Sequence, residues 1–139
     1  MDMRFADRFA QAWSQPTPEK LAALLHPEVL LRQPHRPPVR GRQAAIEDFR
    51  RLFAWLPALH GEVDRAAEED GWVFIEWRMK ATVGREVLVI PAVDRFRVEN
   101  GVGIERVVYF DQLALAATLV RHPGLWPGYV RYLAGSLRR

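Results

Sequence analysis

Apolar side chains at Phe5, Phe9, Ala12 and Trp13 recur at steps of three and four, which predicts an amphipathic helix over residues 3 to 14, ended by Pro16. Thr17, Pro18 and Glu19 form a helix-start signal, with a capping hydroxyl, a proline at the first helical position and an early acid. Leu21, Leu24 and Leu25 then give a short second helix closed by Pro27. Val29 to Leu31 fits a short strand, and the proline-rich stretch from Gln33 to Gly41 is expected to be a loop. From Arg42 to Trp55, Ala45, Ile46, Phe49, Leu52 and Phe53 mark one face of a third helix, with Glu47, Asp48, Arg50 and Arg51 on the other. Pro57 stops it.

Beyond Pro57 the period changes from helical to alternating. Four strands are predicted, at roughly 59 to 69, 72 to 82, 86 to 98 and 104 to 111, punctuated by Asp70-Gly71, Gly84-Arg85 and Glu99-Asn100-Gly101. In the second of these, Val73, Ile75, Trp77, Met79 and Ala81 alternate with Phe74, Glu76, Arg78 and Lys80, so one face is dry and the other charged. In the third, Leu88, Ile90, Ala92, Asp94, Phe96 and Val98 share a face. Residues 112 to 134 read as one helix and a shorter second one, interrupted at His122-Pro-Gly and Pro127-Gly. Helices first and an antiparallel meander second define an α+β architecture, with residues 1–139 as one domain.

The composition narrows the function classes. With 49% hydrophobic and 27% charged residues the chain is in the ordinary globular range, so disorder and fibre are excluded. The absence of cysteine removes disulfides, thiolate metal sites and a cysteine nucleophile. The histidines at 26, 35, 60 and 122 lack ligand spacing, and no metal or other cofactor is expected. The opening residues lack a signal-peptide core and an apolar run of membrane-spanning length, so the expectation is a cytoplasmic protein without a membrane partner. A net charge of +3 is a mild excess. Arg32, Arg36, Arg40 and Arg42 are interleaved with prolines rather than stacking rings, which argues against nucleic acid.

The order of these elements resembles the nuclear transport factor 2-like α+β cone, and within it the SnoaL-like polyketide cyclase branch. The residues that carry the likeness are Leu24-Leu-His-Pro-Glu-Val-Leu-Leu-Arg-Gln-Pro34, Gly41-Arg-Gln-Ala-Ala-Ile-Glu-Asp-Phe49, Asp94-Arg-Phe-Arg-Val-Glu-Asn-Gly101 and Ile104-Glu-Arg-Val-Val-Tyr-Phe-Asp111. The resemblance implies a cone-shaped barrel with N-terminal helices packed in the concave face of a curved, mostly antiparallel sheet. It also implies an apolar pocket for a small ligand and a homodimer formed through the outer sheet face.

Chemistries known in this fold can be compared with the residues present. The carboxylate base, tyrosine and protonated aspartate of ketosteroid isomerase-like members align with Gln33, Phe9 and Ile90; an amide cannot abstract a proton at neutral pH, and neither the phenyl nor the sec-butyl group can donate to an oxyanion. For limonene epoxide hydrolase-like members Arg78 matches the arginine, but Lys80 and Val108 stand where acids belong. SnoaL-like cyclases close a ring with an aspartate at the end of the last long strand, which implies Asp111 as acid/base. The family's preceding histidine and tryptophan are Arg106 and Val107 here. Asp111 is also well placed to cap the helix from Gln112.

The expected ligand is an apolar carbonyl compound that undergoes ring closure or isomerisation; the alternative is a non-catalytic ligand-binding or dimerisation module. Trp13, Phe49, Phe53, Phe74, Trp77 and Tyr109 are expected to wall its pocket. Gln33, His35 and Arg78 are expected to polarise it. Asp94, on an otherwise dry strand face, is expected either to touch the ligand or to pair with Arg95, Arg97 or Arg106.

Overall fold

The computed structural model describes residues 4–34 and 36–137. Helix α1 (Phe5–Ser14) buries Phe5, Phe9 and Trp13, and α2 (Pro18–Ala22) starts where the Thr17 side chain accepts from the Lys20 amide. Strand β1 (Leu25–Gln33) pairs with β2 (Arg36–Arg40), and α3 (Arg42–Trp55) follows. The long strands are β3 (His60–Glu69), β4 (Trp72–Val83), β5 (Glu86–Glu99) and β6 (Val102–Phe110). Helix α4 (Gln112–Arg121), a 3-10 turn (Pro123–Leu125) and α5 (Trp126–Leu137) complete the described chain. No helix among the described residues is long and apolar enough to cross a membrane.

The six strands form one sheet in the order β2-β1-β6-β5-β4-β3. Its long strands make the expected meander, with Asp70-Gly71 and Asn100-Gly101 both at positive φ in the turns. Three features depart from the expectation. Leu25 and Pro27, read as the end of a second helix, lie in β1, because α2 stops at Ala22. β1 runs parallel to β6, which puts Leu31 beside Arg106. The proline-rich stretch is an edge strand rather than a loop: Pro37 and Pro38 are exposed, while Arg36 and Val39 point inward. An edge strand spares prolines the donor they lack.

The inner sheet face follows the alternation read from the sequence. Val73, Ile75, Trp77 and Ala81 of β4 and Ile90, Ala92, Asp94 and Phe96 of β5 are buried. Against them α1 presents Phe9 and Trp13, giving ring centroids of Phe9–Trp77 5.1 Å, Trp13–Trp77 4.7 Å and Phe9–Phe96 5.7 Å. These rings fill the closed end of the curved sheet. Gly61 allows β3 to approach, since a Cβ there would lie 2.6 Å from Trp77 Cζ3.

Candidate functional site: a roofed cavity with a charged floor

Between α3 and the inner sheet face lies a cavity of about 80 Å³. Leu52 and Leu56 wall it from the α3 side, and Met79, Ile90, Val108 and Phe110 from the sheet. Leu115 of α4 and Tyr129 and Tyr132 of α5 add to the lining. Its polar members include Gln33, Asp48 and Arg106.

Arg106 comes from the inner face of β6, at the end packed by rings. Its Nε donates to Asp94 Oδ2 at 2.6 Å, and Trp77 Nε1 donates to Asp94 Oδ1 at 2.8 Å. Asp94 is fully buried and Arg106 nearly so. Burial pushes the Asp94 carboxyl above its usual range; the Arg106 charge and the hydrogen bonds from Arg106 and Trp77 oppose that shift without cancelling it. The guanidinium also lies 5.7–6.0 Å from the centroids of Phe9, Trp13 and Phe96. Clamped in this way, it is a fixed cationic donor at the deep end of an apolar space.

A second buried pair borders the roof. Arg36 Nη1 and Nη2 donate to Asp48 Oδ1 and Oδ2 at 2.5 and 2.8 Å, and Arg51 Nη2 lies 3.5 Å from Asp48 Oδ1. Burial opposes the Arg36 charge, but the Asp48 hydrogen bond, together with the electrostatic contributions of Tyr132, Asp48 and Tyr129, outweighs it, so the guanidinium pKa is raised. Arg36 stacks 4.4 Å from the Tyr132 ring centroid, tying β2 to α5. Asp94 and Asp48 are thus each matched by arginine, and the site is richer in held donors than in free bases.

Of the residues expected at the site, Trp13, Gln33 and Phe49 line the cavity. Trp77 and Asp94 lie in the core and reach the cavity through Arg106. Phe53, partly buried, packs against the core at 6.2 Å from Trp13 and does not line the cavity. Phe74, Arg78 and Tyr109 require correction: the strand alternation places them on the outer face, where Phe74 and Tyr109 are exposed and Arg78 pairs with Asp64 and Glu62. His35 lies outside the described residues. Asp111 is exposed, and its Oδ1 accepts from the Ala114 amide at 3.0 Å as the N-cap of α4; it is not part of the cavity lining.

Arg106, Asp48, Tyr129 and Tyr132 were not singled out as site residues from the sequence. Asp48 had a readable signal, because Ala45, Asp48, Leu52 and Trp55 follow one another at helical steps and place it on the core face rather than the solvent face. Of the four arginines considered for nucleic acid, Arg36 is buried on Asp48, and Arg42 Nε and Nη2 donate to the Leu25 carbonyl.

A curved sheet wrapped around helices with a pocket at its open end defines the nuclear transport factor 2-like, or ketosteroid isomerase-like, class of α+β proteins. Residues 6–107 match the SnoaL-like domain, and the chain belongs to that family. A candidate SnoaL-like polyketide cyclase from Jannaschia sp. CCS1 is similar at TM-score 0.69 and 18% identity, over 84% of this chain and 94% of that one. An epoxide hydrolase from M. tuberculosis, of the limonene epoxide hydrolase-like kind, is similar at TM-score 0.70 and 18% identity, over 85% and 88%. A Catenulispora acidiphila protein of ketosteroid isomerase-like fold, in complex with trimethylamine, is similar at TM-score 0.69 and 17% identity, over 78% and 86%. At these identities the likeness concerns the fold. No curated protein matches the sequence.

Proposed function

We propose that this chain binds an apolar small molecule carrying one carbonyl or enolate oxygen, with that oxygen directed at Arg106 and the carbon skeleton held between α3 and the sheet. The observation that carries this reading is the buried Arg106 guanidinium, fixed by Asp94, in an otherwise largely apolar lining. A hydrogen bond from a desolvated cation is worth about 1.5–3 kcal/mol, or roughly tenfold and upward in affinity. The trimethylamine bound by the Catenulispora neighbour is in keeping with a small guest in such a cone.

Binding is favoured over ring closure at Asp111 because that carboxylate caps a helix outside the cavity. A second, enzymatic reading has one specific support, the buried Asp94 carboxyl pushed upward and joined to Arg106. In that reading the pair moves a proton during isomerisation or ring closure of the same carbonyl compound.

The test compares 1-tetralone with tetralin, which lacks the ketone, by tryptophan fluorescence, since Trp13 and Trp55 line the cavity. The ketone is expected to bind at least tenfold more tightly, and Arg106→Met to erase the difference. Equal affinity for both compounds in the wild type would refute the assignment.

A further inference from the structure

A cavity of about 80 Å³ is smaller than the space of about 150 Å³ known to take a benzene ring, so a ring compound is fully seated only if part of the wall yields. The inner wall consists of long paired strands and the ring cluster behind them, which resist deformation. The roof is built differently. It is a separate helix that follows the His122-Pro-Gly interruption and rests on α3 and β2 without pairing in the sheet. The Trp55 ring lies 5.0 Å from Tyr129 and 5.5 Å from Tyr132, the latter pair stacked, so α5 rests on α3 through aromatic faces.

The roof's seat also contains unsatisfied donors. Trp55 Nε1 and Arg51 Nε are buried without a hydrogen-bond partner among the described residues. Both side chains lie under glycines of α5: a Cβ at Gly128 would be 2.6 Å from Trp55 Cδ1, and one at Gly135 would be 2.4 Å from Arg51 Cδ. Closing α5 therefore removes water from two N–H groups and supplies no acceptor from the described residues in return, whereas lifting it lets water satisfy both.

We infer that α5 is the gate of this cavity, lifting from α3 to admit the guest and closing Tyr129 and Tyr132 over it. The inference rests on the proposed binding function for the identity of the guest, but not for the motion.

Two measurements on the full chain test it. Hydrogen exchange of the wild-type protein should show the amides of α5 opening at least a hundredfold more often than those of β4 and β5. Stopped-flow binding of 1-anilinonaphthalene-8-sulfonate, an apolar ring system with an anionic group suited to Arg106, should be about five- to tenfold faster in Gly128→Ala, where the added methyl holds α5 off Trp55. The double variant Asp94→Leu/Arg106→Met, which removes the cation without leaving a buried unpaired charge, identifies the cavity-bound fraction of the dye by losing it. If α5 amides exchange only as slowly as β4 and β5, the gate is refuted, whether or not Gly128→Ala folds. An unchanged association rate in a folded Gly128→Ala protein refutes it as well. Free opening of α5 with no Arg106-dependent dye binding would sustain the gate and overturn the binding function.

Discussion

Arg106 reaches Asp94 diagonally across the β5–β6 ladder: Arg106 is in register with Phe96 and Asp94 with Val108, yet Nε and Oδ2 meet at 2.6 Å. An arginine is long enough to span one such step. Its register partner Phe96 is left to pack on Phe5 and Phe9, so the ion pair is inserted into the ring cluster without breaking it. One interaction thereby orients the donor at the cavity floor and joins two central strands.

Removing one member of this pair leaves an uncompensated charge or an unpaired donor in the core. Arg106→Met and Asp94→Asn should each destabilise the protein, Arg106→Met by about 3–5 kcal/mol. The double variant Asp94→Leu/Arg106→Met should be close to wild-type stability or better, because the desolvation cost disappears with the charges. Urea unfolding with a common slope decides it; double-variant losses equal to the sum of the singles would show that the two sites do not interact.

The raised Asp94 pKa has a definite consequence for pH. A carboxyl whose folded value lies above its unfolded one binds its proton more tightly in the native state. Its contribution to stability is full below the ordinary aspartate range, near about 3.9, and is lost as pH rises through the folded value. The stability gap between wild type and Asp94→Asn should therefore narrow as pH rises from the ordinary aspartate range toward neutrality. A gap that widens over the same range would contradict the direction of the shift.

The sheet was legible because its alternation is clean and its turns carry Asp-Gly and Asn-Gly, so the inward positions of β4 and β5 were read correctly. Register and pairing between distant segments leave no local trace. Neither the parallel β1–β6 contact nor the edge strand at Pro37-Pro38 could be read from periodicity. The site was legible in part for the same reason. Asp94 was expected to need a partner and Arg106 was one of three candidates, whereas Phe74 and Tyr109 were assigned to the pocket as large rings although the same alternation turns them outward. Tyr129 and Tyr132 depend on how α5 docks, which is a tertiary property of this chain.

Asp111 should behave as a helix cap. Asp111→Ala should cost about 1 kcal/mol, within roughly 0.5–2, and Asp111→Asn only a few tenths, because asparagine can still accept the Ala114 amide. Tetralone affinity should be unchanged in both. Thermal unfolding together with the fluorescence titration checks this, and a large loss of binding in Asp111→Asn at unchanged stability would return Asp111 to the site.

Gly61 is where β3 meets the ring cluster behind the cavity floor. A methyl group there would lie 2.6 Å from Trp77 Cζ3 and 3.2 Å from Trp13 Cβ, and neither indole can retreat, because Trp77 holds Asp94 while Trp13 packs on Phe9 and Phe49. Gly61→Ala should therefore destabilise by about 1–3 kcal/mol through overpacking, although alanine suits a strand better than glycine. Adding Trp77→Leu opens the space the methyl needs, so the double variant should lose less than the sum of the two singles. Additive losses in urea unfolding would mean that the strand has shifted to take up the methyl and that the contact with Trp77 is not what requires glycine at this position.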